Sequence, residues 1–154
     1  MYFWRIKSLK RDLAAGAVSE RNALPYLLWL GGLTSLASSL PLGELNGWDF
    51  VAAISSVGLF VAGTSYAFRC NGGSAGAHFL VRYLCLNWVL GLRLLVLFAV
   101  PGIVVLVPLE ELLLEQVPPD TTPLEAGFLV VFESVLYWRL AVHIRDVAAA
   151  SRAA

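Results

Sequence analysis

Apolar residues gather along this chain in four stretches, roughly 24–40, 50–67, 80–107 and 126–144, with the polar residues falling between them. Each stretch is near or above the ~20 residues that a helix needs to cross a bilayer. The pattern predicts an all-α, polytopic membrane protein: a four-transmembrane-helix bundle with short amphipathic helices at its surfaces. It divides the chain into a basic amphipathic segment (1–22), a membrane domain (23–147) and a tail (148–154).

The charges between the stretches keep to one side or the other. The connection Pro41–Asp49 holds Glu44 and Asp49 without a lysine or arginine. The connection Pro108–Glu125 holds Glu110, Glu111, Glu115, Asp120 and Glu125, again without a basic residue. Basic residues sit at the opposite ends: Arg5, Lys7, Lys10, Arg11 and Arg21 before the first stretch, Arg69 and Arg82 around the middle connection, and Arg139, Arg145 and Arg152 near the close. Positive loops stay on the cytoplasmic side, so both termini and the middle connection are expected there and the acidic connections outside. A multi-pass protein of the bacterial inner membrane, N-in and C-in, is the expected setting. About twenty polar or basic residues precede the first apolar run, which is long for the n-region of a signal peptide, so that run is expected to be a retained span.

Local signals refine these elements. On a helix, Phe3, Ile6, Leu9 and Leu13 share one face and Lys7 and Arg11 lie away from it, with Lys10 near the apolar edge where its stem can snorkel. That profile predicts a helix in the cytoplasmic headgroup layer, with Lys7, Lys10 and Arg11 contacting anionic lipid. Gly31 and Ser35 in the first span, and Gly58 and Ala62 in the second, have the small-xxx-small spacing of a helix-packing seam, within one protomer or between copies. The connection Arg69–His78 carries Gly72, Gly73 and Gly76. It lacks the Gly-Lys-Ser/Thr finish of a phosphate loop and reads as a flexible turn. The third span is long enough to begin in the interface, tilt, or break at Pro101-Gly102. The leucines and glutamates beyond it suggest a short outer helix. Thr122-Pro123-Leu124-Glu125 then reads as a capping box opening the last helix.

Composition sharpens the class. The chain is 58% hydrophobic and 14% charged, against about 25% charged in soluble domains. Its zero formal net charge reflects charges separated across the membrane, so no nucleic-acid partner follows from it. Expected partners are the bilayer, its anionic headgroups, and a second copy or another membrane protein.

Chemistry is sparse inside the spans. Asn87 and Arg93 fall in the third and Glu133 in the fourth. Ionisable groups at such depth face a bundle interior, a cavity or each other. An Arg93–Glu133 pair is the most specific expectation, either as an ion pathway or as a static bridge. Arg82 precedes Arg93 by close to three turns, so the two share a face that suits anion conduction or headgroup binding. Cys70 and Cys85 form no CxxC pair, and His78 and His143 have no ligand-spaced partners. No hydrolase elbow or HExxH occurs. Neither catalysis, a metal nor a cofactor is therefore expected. Two functions remain: an oligomeric channel or transporter subunit using the buried charges, or a membrane anchor, assembly factor or sensor that recruits a protein. The buried charges favour the first.

Overall fold

The computed structural model describes residues 5–18, 26, 46–113 and 121–153, and every regular element among them is helical. Helix α1 spans Ile6–Ala14 and α2 spans Gly47–Cys70. A 3-10 turn, Gly73–Ala75, leads to α3, Phe79–Leu94. A π-helical turn, Leu95–Ala99, joins α3 to α4, Val100–Leu113, and α5 runs over Pro123–Ala153. Three helices are long and apolar enough to cross a membrane: Gly47–Cys70, the continuous run Phe79–Glu110, and Pro123–Ala153. The first apolar stretch, with Gly31 and Ser35, lies outside the described residues except for Tyr26, which is helical and buried.

Helix α2 is apolar on all sides, and only Ala52 and Ala67 along it are buried. Phe50, Ile54 and Val57 stand 60%, 73% and 64% exposed. Such a contiguous apolar surface is an aggregation hazard in water and an ordinary outer surface in lipid. Asn46 starts the helix with a capping box: its side chain accepts from the backbone of Trp48 and Asp49, while Asp49 accepts from Asn46 N. Two of the orphan N–H groups of the first turn are satisfied in this way.

Of the three courses expected for the third span, the structure keeps the run helical and places a π turn, Leu95–Ala99, two residues before Pro101. A proline at 101 cannot donate to the carbonyl of Leu97 and crowds it, and the wider π turn accommodates both defects. The expectation of a separate outer helix does not hold over the described residues: α4 continues through Pro108 to Leu113. One missing N–H at Pro108 leaves the rest of the ladder intact, and with little water to take over the carbonyls, the helix carries on. The 32-residue run is about 48 Å long at 1.5 Å per residue, longer than a hydrocarbon core of about 30 Å.

Helices α2 and α5 run parallel, as three contacts in sequence show. The Asn46 amide donates to Thr121 O, Ser56 to Glu133, and Gly72 lies beside Arg152. A Cβ on Gly63 would stand 2.4 Å from Tyr137 Cγ, so the backbone of α2 approaches α5 most closely there. A similar approach occurs at Gly102, where a Cβ would stand 2.4 Å from Phe128 Cζ. Helix α3 packs antiparallel to α5 through Leu86 and Val89 against Leu140 and Ile144, all fully buried. Leu9 and Leu13 of α1 complete this cluster. The acidic groups Asp49, Glu110 and Glu125 thus gather at one end of the bundle, and Arg69, Arg82, Arg145 and Arg152 at the other.

Candidate functional site

At the acidic end the helix caps are tied together. Thr121 Oγ1 donates to Asp49, linking the start of α5 to the start of α2. Thr122 and Glu125 form the expected capping box: Thr122 N donates to Glu125 Oε2 at 2.9 Å and Glu125 N to Thr122 Oγ1 at 3.2 Å. The Thr122 hydroxyl also donates to Glu110, which is only 3% exposed. Glu110, expected in an outer acidic connection, is an internal fastener between α4 and α5.

Glu133 lies midway along the α2–α5 interface. Ser56 Oγ donates to its Oε1 at 2.9 Å, and its Oε2 is buried with no hydrogen-bond partner among the described residues. One turn further along α5, Tyr137 lies beside both Glu133 and Tyr83, and the Tyr83 hydroxyl is 3.0 Å from Thr64 Oγ1. A row of polar side chains from three helices therefore extends from Glu133 toward the basic end. Asn87, on α3, is half-buried with an Oδ1 that has no partner among the described residues.

Arg93 is placed elsewhere. The ion pairs between described residues are Lys10–Asp146 and Arg11–Asp12, and neither joins Arg93 to Glu133. Arg93 lines a cavity of about 450 Å³ with Arg5, Ile6, Lys7 and Ser8 of the amino-terminal segment, and it lies within electrostatic reach of His143. Glu133 precedes His143 by ten residues, about 15 Å along α5. The structure therefore places the two residues at different depths and does not bring them together.

Arg82 is 3% exposed and donates through Nη1 to Asn71 Oδ1 at 2.9 Å. It shares a helix face with Arg93 but serves a different place, the turn between α2 and α3.

The amino-terminal helix also departs from expectation. Its apolar face is covered by protein, with Leu9 0% and Leu13 3% exposed. Lys10 Nζ reaches Asp146 Oδ2 at 2.6 Å and lies 3.4 Å from His143 Nδ1, so it ties α1 to α5 instead of snorkelling to lipid. Asp146 lies beyond the apolar stretch that ends at Ile144, and the hydrogen bond from Lys10 holds its carboxyl below the usual carboxylate range. Lys7 and Arg11 remain exposed. Of the seam residues, Gly58 and Ala62 are exposed on α2, where a Cβ on Gly58 would meet nothing within 4 Å, and the close approach to α5 is made by Gly63; Gly31 and Ser35 lie outside the described residues.

Sequence reasoning missed Ser56, Thr64, Tyr83 and Asn71 as partners of the buried polar groups. The signal available was the run of hydroxyls along α2, at Ser55, Ser56, Thr64 and Ser65, which the small-residue reading absorbed. Among the described residues no three His, Cys, Asp or Glu side chains converge. No protein family, no characterised protein and no solved structure matches this chain.

Proposed function

We propose that this protein is a transport subunit of the bacterial inner membrane, four-spanning with both termini cytoplasmic, which moves protons or small cations through an oligomer. The observation that carries the reading is Glu133. Among the described residues, its carboxylate is held in the interface of two apolar helices by one hydroxyl, with its second oxygen buried and unpartnered. A fixed structural carboxylate in such surroundings is expected to fill both oxygens, because each buried polar atom left unpaired costs about 1–3 kcal/mol. A carboxylate that takes up and releases a proton or cation cannot keep both filled permanently. The polar groups beyond it, Tyr137, Tyr83 and Thr64, support a path toward the basic end. Segregation of acidic and basic ends suits this direction, since the outer carboxylates gather cations at the entrance.

The test is flux. In liposomes carrying a pH-sensitive dye inside and a potassium diffusion potential, the protein should raise the proton or sodium leak above that of empty vesicles. Glu133→Gln should abolish the rise while leaving the protein folded by circular dichroism. Flux equal to empty vesicles would sink this reading and leave the alternative, a membrane anchor that recruits a partner.

A further inference from the structure

The turn between α2 and α3, together with the last turn of α5, encloses a cavity of about 340 Å³ at the basic end of the bundle, far from Glu133. This lies within the roughly 300–1,000 Å³ of small-molecule sites. Its wall includes Asn71, Gly72, Gly76, Arg82, Ser151 and Arg152. From this wall we infer that the protein binds a phosphate group there, carried by an anionic lipid or by a soluble phosphate.

Two positive charges meet at this cavity, with no acid among the described residues to balance them. Arg82 is 3% exposed, and its Nε is buried with no hydrogen-bond partner among the described residues. The Arg152 side chain folds back over the turn, with Nη2 3.8 Å from where a Cβ on Gly72 would stand, and its charge bears unfavourably on Arg82. No carboxylate among the described residues lies within ion-pair distance of either guanidinium. A buried guanidinium with an open donor, beside a second positive charge, calls for an anion between them. Arginine forks match the paired oxygens of phosphate, and a charge of −1 to −2 balances two guanidiniums.

The wall is built and not merely loose. Gly72 has φ of 107° and Gly73 of 60°, angles that side-chain-bearing residues rarely adopt. At Gly76 a Cβ would stand 2.3 Å from Asn71 O, so this part of the turn closes only on glycine. Closure holds Asn71 at 1% exposure, where its amide donates to Ala77 O at 3.3 Å and its Oδ1 orients Arg82. Asn71 is thus a positioning residue for the buried guanidinium. Ser151 of α5 also lines the cavity. Glycines in a turn at this end read from sequence as flexibility, whereas the structure uses them to bring backbone and arginine into contact.

This inference is independent of the proposed transport at Glu133. The test follows thermal unfolding of the detergent-solubilised full chain by tryptophan fluorescence at constant ionic strength. It titrates inorganic phosphate in one arm and monomeric dihexanoyl-phosphatidylglycerol in another, with chloride as the reference. At least one of the two should stabilise the protein saturably. Phosphate acting alone identifies a soluble ligand, and the lipid acting alone a headgroup. Arg152→Gln, at an exposed position that does not endanger folding, should weaken the apparent affinity about tenfold or more. Arg145→Gln, an equal loss of charge at the same end but outside the cavity wall, should leave it within about twofold. A response to neither compound, or an equal loss in both variants, would overturn the site.

Discussion

Gly63 is the position where the packing makes the sharpest demand. Replacing it with alanine puts a methyl 2.4, 2.6 and 2.7 Å from Cγ, Cβ and Cδ1 of Tyr137. Carbon atoms pack at about 3.5–4.0 Å, so the helices must part by about 1 Å or Tyr137 must leave its place. Tyr137 cannot swing aside cheaply, because the clash is with the root of its side chain and its ring also packs edge-on against Phe60, with centroids 6.5 Å apart. Overpacking of this kind costs about 1–3 kcal/mol. Gly58→Ala is the matched control on the same helix. Its Cβ meets nothing within 4 Å, so only helix propensity acts, which favours alanine by up to about 1 kcal/mol. Reversible unfolding in mixed micelles, titrated with a denaturing detergent, measures both. Gly63→Ala should be the less stable of the two by about 1–3 kcal/mol. Adding Tyr137→Ala should recover much of that loss, with a coupling of about 0.5–3 kcal/mol. Equal stability of the two alanine variants, or strict additivity with Tyr137→Ala, would refute the α2–α5 contact.

Two further outcomes follow from the ends of the bundle. Lys10 lowers the Asp146 carboxyl from its ordinary value of 3.8, so the bridge contributes above that value and is lost as pH falls through the lowered one. Protection of the α1 amides in hydrogen exchange should hold near neutrality and fall in strong acid. Asp146→Asn should lower that protection at neutral pH by about 0.2–1 kcal/mol and flatten its acid limb, the range of an exposed pair, and an unchanged acid limb would argue against the bridge. For orientation, single cysteines at Gly47 and at Ala150, in a background with Cys70 and Cys85 replaced by alanine, should differ in intact cells. An impermeant thiol reagent should label the first and spare the second, and the reverse result would invert the proposed topology.

Much of the architecture was legible because it depends on neighbours along the chain. Whether a segment can cross lipid is decided by about twenty consecutive residues, so the second, third and fourth apolar stretches correspond to long helices. The Thr122–Glu125 capping box was equally local, since both partners lie within one turn. Charge sidedness was visible as well, and among the described residues the structure gathers Asp49, Glu110 and Glu125 at one end and Arg69, Arg82, Arg145 and Arg152 at the other.

The partners of the polar groups were a different matter. Small residues recur all round α2, at Ala52, Ser55, Ser56, Gly58, Ala62 and Gly63, so spacing offers several equivalent seams. Only the rotation of α2 against α5 selects Gly63 for Tyr137 and Ser56 for Glu133. Likewise, composition makes Arg93 and Glu133 the natural pair, but their relative depth depends on where each antiparallel helix begins. A helix turns 100° per residue, and a shift of one residue exchanges which side chain meets its neighbour. Sequence alone determined that these helices are apolar and which end carries which charge, because backbone satisfaction and solvent transfer act locally. Tertiary structure alone decided which buried polar atoms find partners and which, at Glu133 and Arg82, have none among the described residues, because those distances depend on how separate helices rotate and slide against each other.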